Sequence, residues 1–182
     1  MSTMAALRRR IVQALIWISI ALFVVLVLVV MWQVFTRQVL HAPSGWTTTV
    51  SQYVFIWLVL FSVAMVFGER GHVAVDFFVR LLPRRGRLIA AGVIDASVLL
   101  FSLLGLVWGG IRGMSISWDQ AIPGLPVTVG QVYLALPVAG VLIALFALED
   151  LLRAVRGADV VTEADAQTDA AIDAAEAAQK EA

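Results

Sequence analysis

Cysteine is absent from the 182-residue chain, and histidine occurs only as His41 and His72. The first absence removes disulfides, thiolate nucleophiles and cysteine-based metal sites; two isolated histidines cannot supply a metal cluster. Charge is scarce as well. Only 14% of residues are charged and 61% are hydrophobic, against about 25% charged in soluble domains. There is no Walker-type phosphate loop, so ATP hydrolysis drives nothing here. An integral-membrane enzyme has little support, because neither paired acids nor exposed histidines converge near one interface as an acid and base must. No cofactor, metal or nucleic-acid partner is expected.

What the sequence has instead is four long apolar stretches, at about residues 11–34, 46–67, 88–111 and 128–152. Each is near the 17 to 25 residues needed to cross a hydrocarbon core ~30 Å thick. The expected fold class is therefore all-α: a polytopic membrane protein with four transmembrane helices in residues 11–156. A basic N-terminus (1–10) precedes it and an acidic, alanine-rich tail (157–182) follows.

The formal charge of zero hides two opposed regions. Residues 1–156 carry twelve arginines against six acids, and the tail carries seven acids and Lys180. Arg8, Arg9 and Arg10 precede the first span; Arg70, Arg80, Arg84, Arg85 and Arg87 fill the second gap; Arg153 and Arg156 follow the fourth span. Only Arg37 and Arg112 flank the other ends. Positive charge is retained on the cytoplasmic side, so both termini are expected there. A cleaved signal peptide is the competing reading of the N-terminus, but the apolar stretch is too long for one and no small-x-small cleavage site closes it. The tail lacks a large apolar face and is expected to be disordered or a fluctuating helix.

Trp17, Trp32, Trp46, Trp108 and Trp118 fall near span ends, where amphipathic rings favour the headgroup level; Trp57 is mid-span and is expected to pack on a neighbouring helix. In the second gap, residues 72–82 read as a short amphipathic helix ended by Pro83. Ala74, Phe77, Phe78 and Leu81 share one face, with His72, Asp76 and Arg80 opposite. Such a helix should lie in the headgroup layer, with Arg84, Arg85 and Arg87 on anionic lipid.

Asp95 lies seven residues into the third span, ~10 Å deep at 1.5 Å per residue. An intramembrane acid is a functional candidate by default. The expectation is a hydrogen bond within the bundle or to a partner subunit rather than ion handling, because no second acid lies at that depth. Gly105, Gly109 and Gly113, at i, i+4 and i+8, offer a surface for close helix approach. Thr128 and Gln131 have capping-box spacing for the last helix, and Pro137 should bend that helix within the membrane.

These residues resemble the small membrane subunit of tripartite ATP-independent periplasmic (TRAP) transporters over about the first 155 positions. The resemblance is carried by Gln33-Val34-Phe35-Thr36-Arg37 leaving the first span, by Trp46 opening the second, and by Arg70-Gly71-His72-Val73-Ala74-Val75-Asp76 with Leu81-Leu82-Pro83 following. Leu125-Pro126-Val127-Thr128, then Tyr133 and Leu136-Pro137, looks like the family's entry into the last span. Two features depart from the family. Thr47, Thr48 and Thr49 stand where a small residue and then acids are frequent, and Ser62-Val63-Ala64 replaces a glycine-alanine step. The resemblance implies a scaffold that braces the fixed part of a large, sodium-coupled membrane subunit, with an organic acid delivered by a periplasmic solute-binding protein. The chain lacks the inverted halves and paired broken helices of a self-sufficient transporter. The resemblance also implies Arg37, His41, Arg112 and Asp119 as contacts for the periplasmic protein, with plain solvated loop residues as the alternative. A small accessory or assembly protein of an unrelated inner-membrane complex keeps the same topology and is the alternative function.

Overall fold

The computed structural model describes residues 3–42, 44–69 and 84–155. The expected amphipathic helix at 72–82, with His72, Asp76 and Arg80, and the tail from 157 onward lie outside these described residues.

Four helical spans, antiparallel in sequence order, make up the described chain. The first is one helix, Thr3–Gln38, and the second is Gly45–Gly68. The first is longer than its apolar stretch at both ends: 36 residues amount to ~54 Å at 1.5 Å per residue. No proline or glycine interrupts it, so hydrogen bonding continues through Arg8, Arg9 and Arg10 although hydropathy has already fallen.

The first span meets the bundle along one narrow line. Its buried and half-buried positions include Arg8, Val12, Leu15, Ser19, Leu22, Leu26, Val29, Gln33 and Thr36, at alternating steps of four and three. That 3.5-residue repeat is the signature of knobs-into-holes packing between nearly parallel helix axes. The second span answers with Thr47, Val54, Phe61 and Gly68, seven residues apart. The fourth span then packs on the second, and the third on the fourth, so the fourth is the most enclosed. Leu15, Phe61, Ala64, Ala139, Ile143 and Phe146 form the buried core where spans one, two and four meet.

The third span begins at Arg84 as an α-helix to Phe101, widens into a π-helix over Ser102–Trp108, and resumes as α-helix over Gly109–Ile116. The fourth is built of Val129–Tyr133 and Ala135–Val155. It breaks at Leu134 because Pro137 has no N–H to return to the Tyr133 carbonyl, as expected for a proline inside a span. The expected capping box is present: Gln131 N donates to Thr128 Oγ1 at 3.4 Å, and Thr128 N donates to Gln131 Oε1 at 3.1 Å.

The connection between spans three and four is an ordered hairpin. Val129 N donates to the Gln120 carbonyl at 2.9 Å, Ile122 N to Val127 at 3.3 Å, and Leu125 N to Ile122 at 3.1 Å. Pro123 then Gly124, with the glycine at φ +80°, is the pairing a type II turn requires. Ile122 is buried beneath it.

Candidate functional site

At one end of the bundle Arg8 ties three helices together. Its Nη1 and Nη2 donate to the two carboxylate oxygens of Asp150 at 2.7 and 2.9 Å, and Nη1 also reaches Glu149 Oε2 at 3.3 Å. Nε donates to the Gly68 carbonyl at 2.9 Å and Nη2 to the Phe67 carbonyl at 3.1 Å. The guanidinium lies 5.3 Å from the centre of the Phe146 ring. Every direction of the guanidinium fork is thereby used, which a compact ammonium could not imitate. The two carbonyls belong to the last turn of the second span, whose hydrogen bonds have no continuation within the helix and whose dipole favours a cation.

Gly68 makes this closure possible: a Cβ there would fall 2.5 Å from Val12 Cγ2 and 3.1 Å from Phe146 Cε2. Sequence reasoning assigned Arg8 only to the charge that sets sidedness. The signal it passed over is the acid pair Glu149-Asp150 at the far end of the fourth span, on the same side of the membrane by any even-numbered topology.

The opposite end carries a neutral hydrogen-bonded set. Gln33 Nε2 donates to Thr48 Oγ1 at 2.9 Å. Thr36 Oγ1 donates to the Gln33 carbonyl and lies 3.4 Å from Ser44 Oγ, which is 3.1 Å from Thr47 Oγ1. Thr47 is fully buried. Thr48 thereby joins the first two spans directly and Thr47 ties the second to the turn before it, with hydroxyl and amide groups alone.

Of the glycine row on the third span, Gly113 faces Tyr133 at ordinary contact distance, while the nearest neighbours of Gly105 and Gly109 are Phe101 and the Leu104 carbonyl of the same span. Close approach to the fourth span runs through Gly110 and Gly140 instead. A Cβ at Gly110 would lie 2.8 Å from Leu136 Cβ and Pro137 Cδ; one at Gly140 would lie 2.7 Å from Leu106 Cβ. The π-helix adds residues per turn, so a spacing that aligns three glycines in an α-helix no longer gives the face that meets the fourth span. Asp95 is half-buried on the third span. Trp57 is partly buried against the core, edge-on to Phe61 with ring centres 5.4 Å apart.

Arg37, His41, Arg112 and Asp119 are all exposed, at the end opposite the Arg8 clamp. Arg112 lies 5.6 Å from the centre of the Trp108 ring. His41 has φ +49°, a left-handed conformation in which histidine is enriched among non-glycine residues, and it closes the turn after the first span. Arg84, Arg85 and Arg87 occupy the opening of the third span's helix. Among the described residues no group of three or more His, Cys, Asp or Glu could hold a metal ion.

Residues 26–157 match the family described as tripartite ATP-independent periplasmic transporters, DctQ component. The putative TRAP transporter small permease protein of Haemophilus influenzae is 23% identical over 129 residues, 71% of this chain and 78% of that protein. The sialic acid TRAP transporter small permease protein SiaQ of Vibrio cholerae is 27% identical over 134 residues, 74% and 77% of the two chains. The isethionate TRAP transporter permease protein DctMQ of Oleidesulfovibrio alaskensis is 29% identical over 121 residues, 63% of this chain but 18% of that much longer protein. With four apolar spans and a match over most of its length, the chain belongs to the DctQ component family of TRAP transporters, a multi-pass inner-membrane transport subunit and not an enzyme.

Proposed function

We propose that this chain is the small subunit that braces the fixed part of a large, sodium-coupled permease, for uptake of an organic acid handed over by a periplasmic solute-binding protein. The observation that carries the reading is the first span. Of its most apolar window only 6% is buried, against 44% for the fourth span. Trp17, Phe23, Leu28 and Met31 are each more than half exposed. A helix held by one seam has most of its circumference left for lipid or for another membrane protein, and association there proceeds through shape and small residues rather than hydrophobic drive. The outward placement of Gly105 and Gly109 on the third span fits the same use, as does the match of this chain to one stretch of a far longer permease.

Both termini face the cytoplasm in this reading. The start of the first span, the end of the second and the end of the fourth meet at Arg8, and ten of the twelve arginines in residues 1–156 fall in the sequence before the first span, between the second and third, or after the fourth, the pattern that retention of positive charge produces. Arg84, Arg85 and Arg87 then face anionic lipid, and Arg37, Arg112 and Asp119 are available to the solute-binding protein. Asp95 serves packing within the complex rather than ion coupling. Affinity purification of the chain in mild detergent, co-expressed with the large permease, tests the reading: a stoichiometric complex supports it, and a chain that purifies alone from such cells refutes it.

A further inference from the structure

We propose that the cleft between the start of the second span and the hairpin at Gln120 to Val129 is a binding site for one zwitterionic phospholipid. The cleft is open along one side and offers about 720 Å³, within the ~300 to 1,000 Å³ of typical ligand sites. Both walls are formed in the chain itself, one by helix and the other by the hydrogen-bonded hairpin with its Pro123-Gly124 turn. Thr49, Gln52, Tyr53 and Gln120 line it with hydroxyl and amide groups that take no side-chain hydrogen bond among the described residues. Trp46 stands at the rim and is 42% exposed.

Depth selects the occupant. Trp46, with exposed Trp32 and Trp118 at the same end, marks the headgroup level, where such rings settle. The lining descends along the second span from Gly45 to Tyr53, ~12 Å at 1.5 Å per residue, and so runs from headgroup into the upper hydrocarbon. A water-borne solute would meet only the rim, whereas a phospholipid has matter at every level. Charge selects the headgroup. The lining has no charged side chain, so an anionic headgroup or solute finds no counter-charge, while a zwitterion carries its own. Its phosphate accepts from the Gln52 and Gln120 amides and the Thr49 hydroxyl; its ammonium sits against the Trp46 ring, a cation–π contact. The site needs no assumption about which leaflet this end faces.

The test uses the full chain, purified and delipidated in mild detergent, then offered phosphatidylethanolamine or phosphatidylglycerol and read by native mass spectrometry. One phosphatidylethanolamine per chain is expected to survive detergent washing, with phosphatidylglycerol retained about tenfold less well, the ratio worth 1.4 kcal/mol. Thr49→Trp and Ala121→Trp fill the cleft and should abolish retention, while Leu145→Trp, on an exposed face of the fourth span, should not. Ala121 is itself exposed, so that variant keeps the test decisive should Thr49→Trp fail to fold. Wild-type retention in Ala121→Trp, or equal retention of the two lipids, overturns the proposal. So does a filled cleft that keeps its lipid but loses co-purification with a large permease, which would make it a protein contact.

Discussion

Arg8 and Asp150 stand 142 positions apart in the chain and meet through two parallel hydrogen bonds of 2.7 and 2.9 Å. The pair closes the bundle at one end, and because Arg8 also holds the Gly68 and Phe67 carbonyls, it fixes the second span in the same stroke. With the arginine side chain only 9% exposed, replacing Arg8 removes every one of these contacts at once, whereas replacing Asp150 leaves the arginine its 3.3 Å contact with Glu149.

Arg8→Ala should therefore destabilise the purified chain by about 3 kcal/mol, the loss typical of breaking a buried ion pair, and Asp150→Asn by less, because Glu149 still pairs with the arginine. Arg8→Lys should recover little of it, because an ammonium cannot serve a carboxylate and two carbonyls in one plane. Thermal melting in detergent measures both. A lysine variant as stable as wild type would mean that charge alone matters at this position.

Gly140→Leu and Gly109→Leu should differ. The first drives side-chain atoms into Leu106 and Val107 and should cost about 1 to 3 kcal/mol or more, as overpacking does. The second meets no neighbouring span, so melting of the isolated chain should stay near wild type while recovery of the complex with the large permease falls. Equal destabilisation of the isolated chain by both substitutions would show that Gly109 faces inward.

His41→Gly should leave the chain as stable as wild type or raise stability by up to ~1 kcal/mol, and His41→Val should lower it, since a β-branched residue is a genuine outlier at positive φ. Melting of the two variants checks this, and a valine variant with unchanged stability would contradict the turn conformation.

Charge reversal at Arg37 and Arg112 should reduce uptake that depends on the solute-binding protein without lowering recovery of the two membrane subunits. Both side chains are exposed at the end away from the clamp, where approach of a soluble partner is governed by complementary charge. Uptake rates over a range of solute-binding protein concentrations provide the measurement. Unaltered dependence would leave the two arginines as membrane-surface anchors.

The four-span frame could be read from apolar run lengths because a bilayer demands them, and the Thr128–Gln131 cap because its spacing is local. The seam on the first span could not. Nearly every residue from Ile11 to Val34 is apolar, so the 3.5-residue repeat of buried positions has no polar face to contrast with. The clamp was hidden for a different reason: an arginine before a span has a sufficient explanation in sidedness, and nothing local says that one of three consecutive arginines turns inward to meet acids at the end of the fourth span. The glycine row does not say which glycines meet the fourth span, because the π-helix over Ser102–Trp108 has no distinctive composition and shifts that contact to Gly110. In the hairpin between spans three and four, Pro123 and Pro126 mark only a stiff loop; its closure depends on the pairing of Gln120 with Val129, which spans the turn.

Reconstitution into vesicles is the most direct measurement of the proposed division of labour. The purified chain alone, with a sodium gradient and a loaded solute-binding protein outside, should move no solute, and adding the large permease should start uptake. Transport by this chain by itself would contradict the bracing role outright.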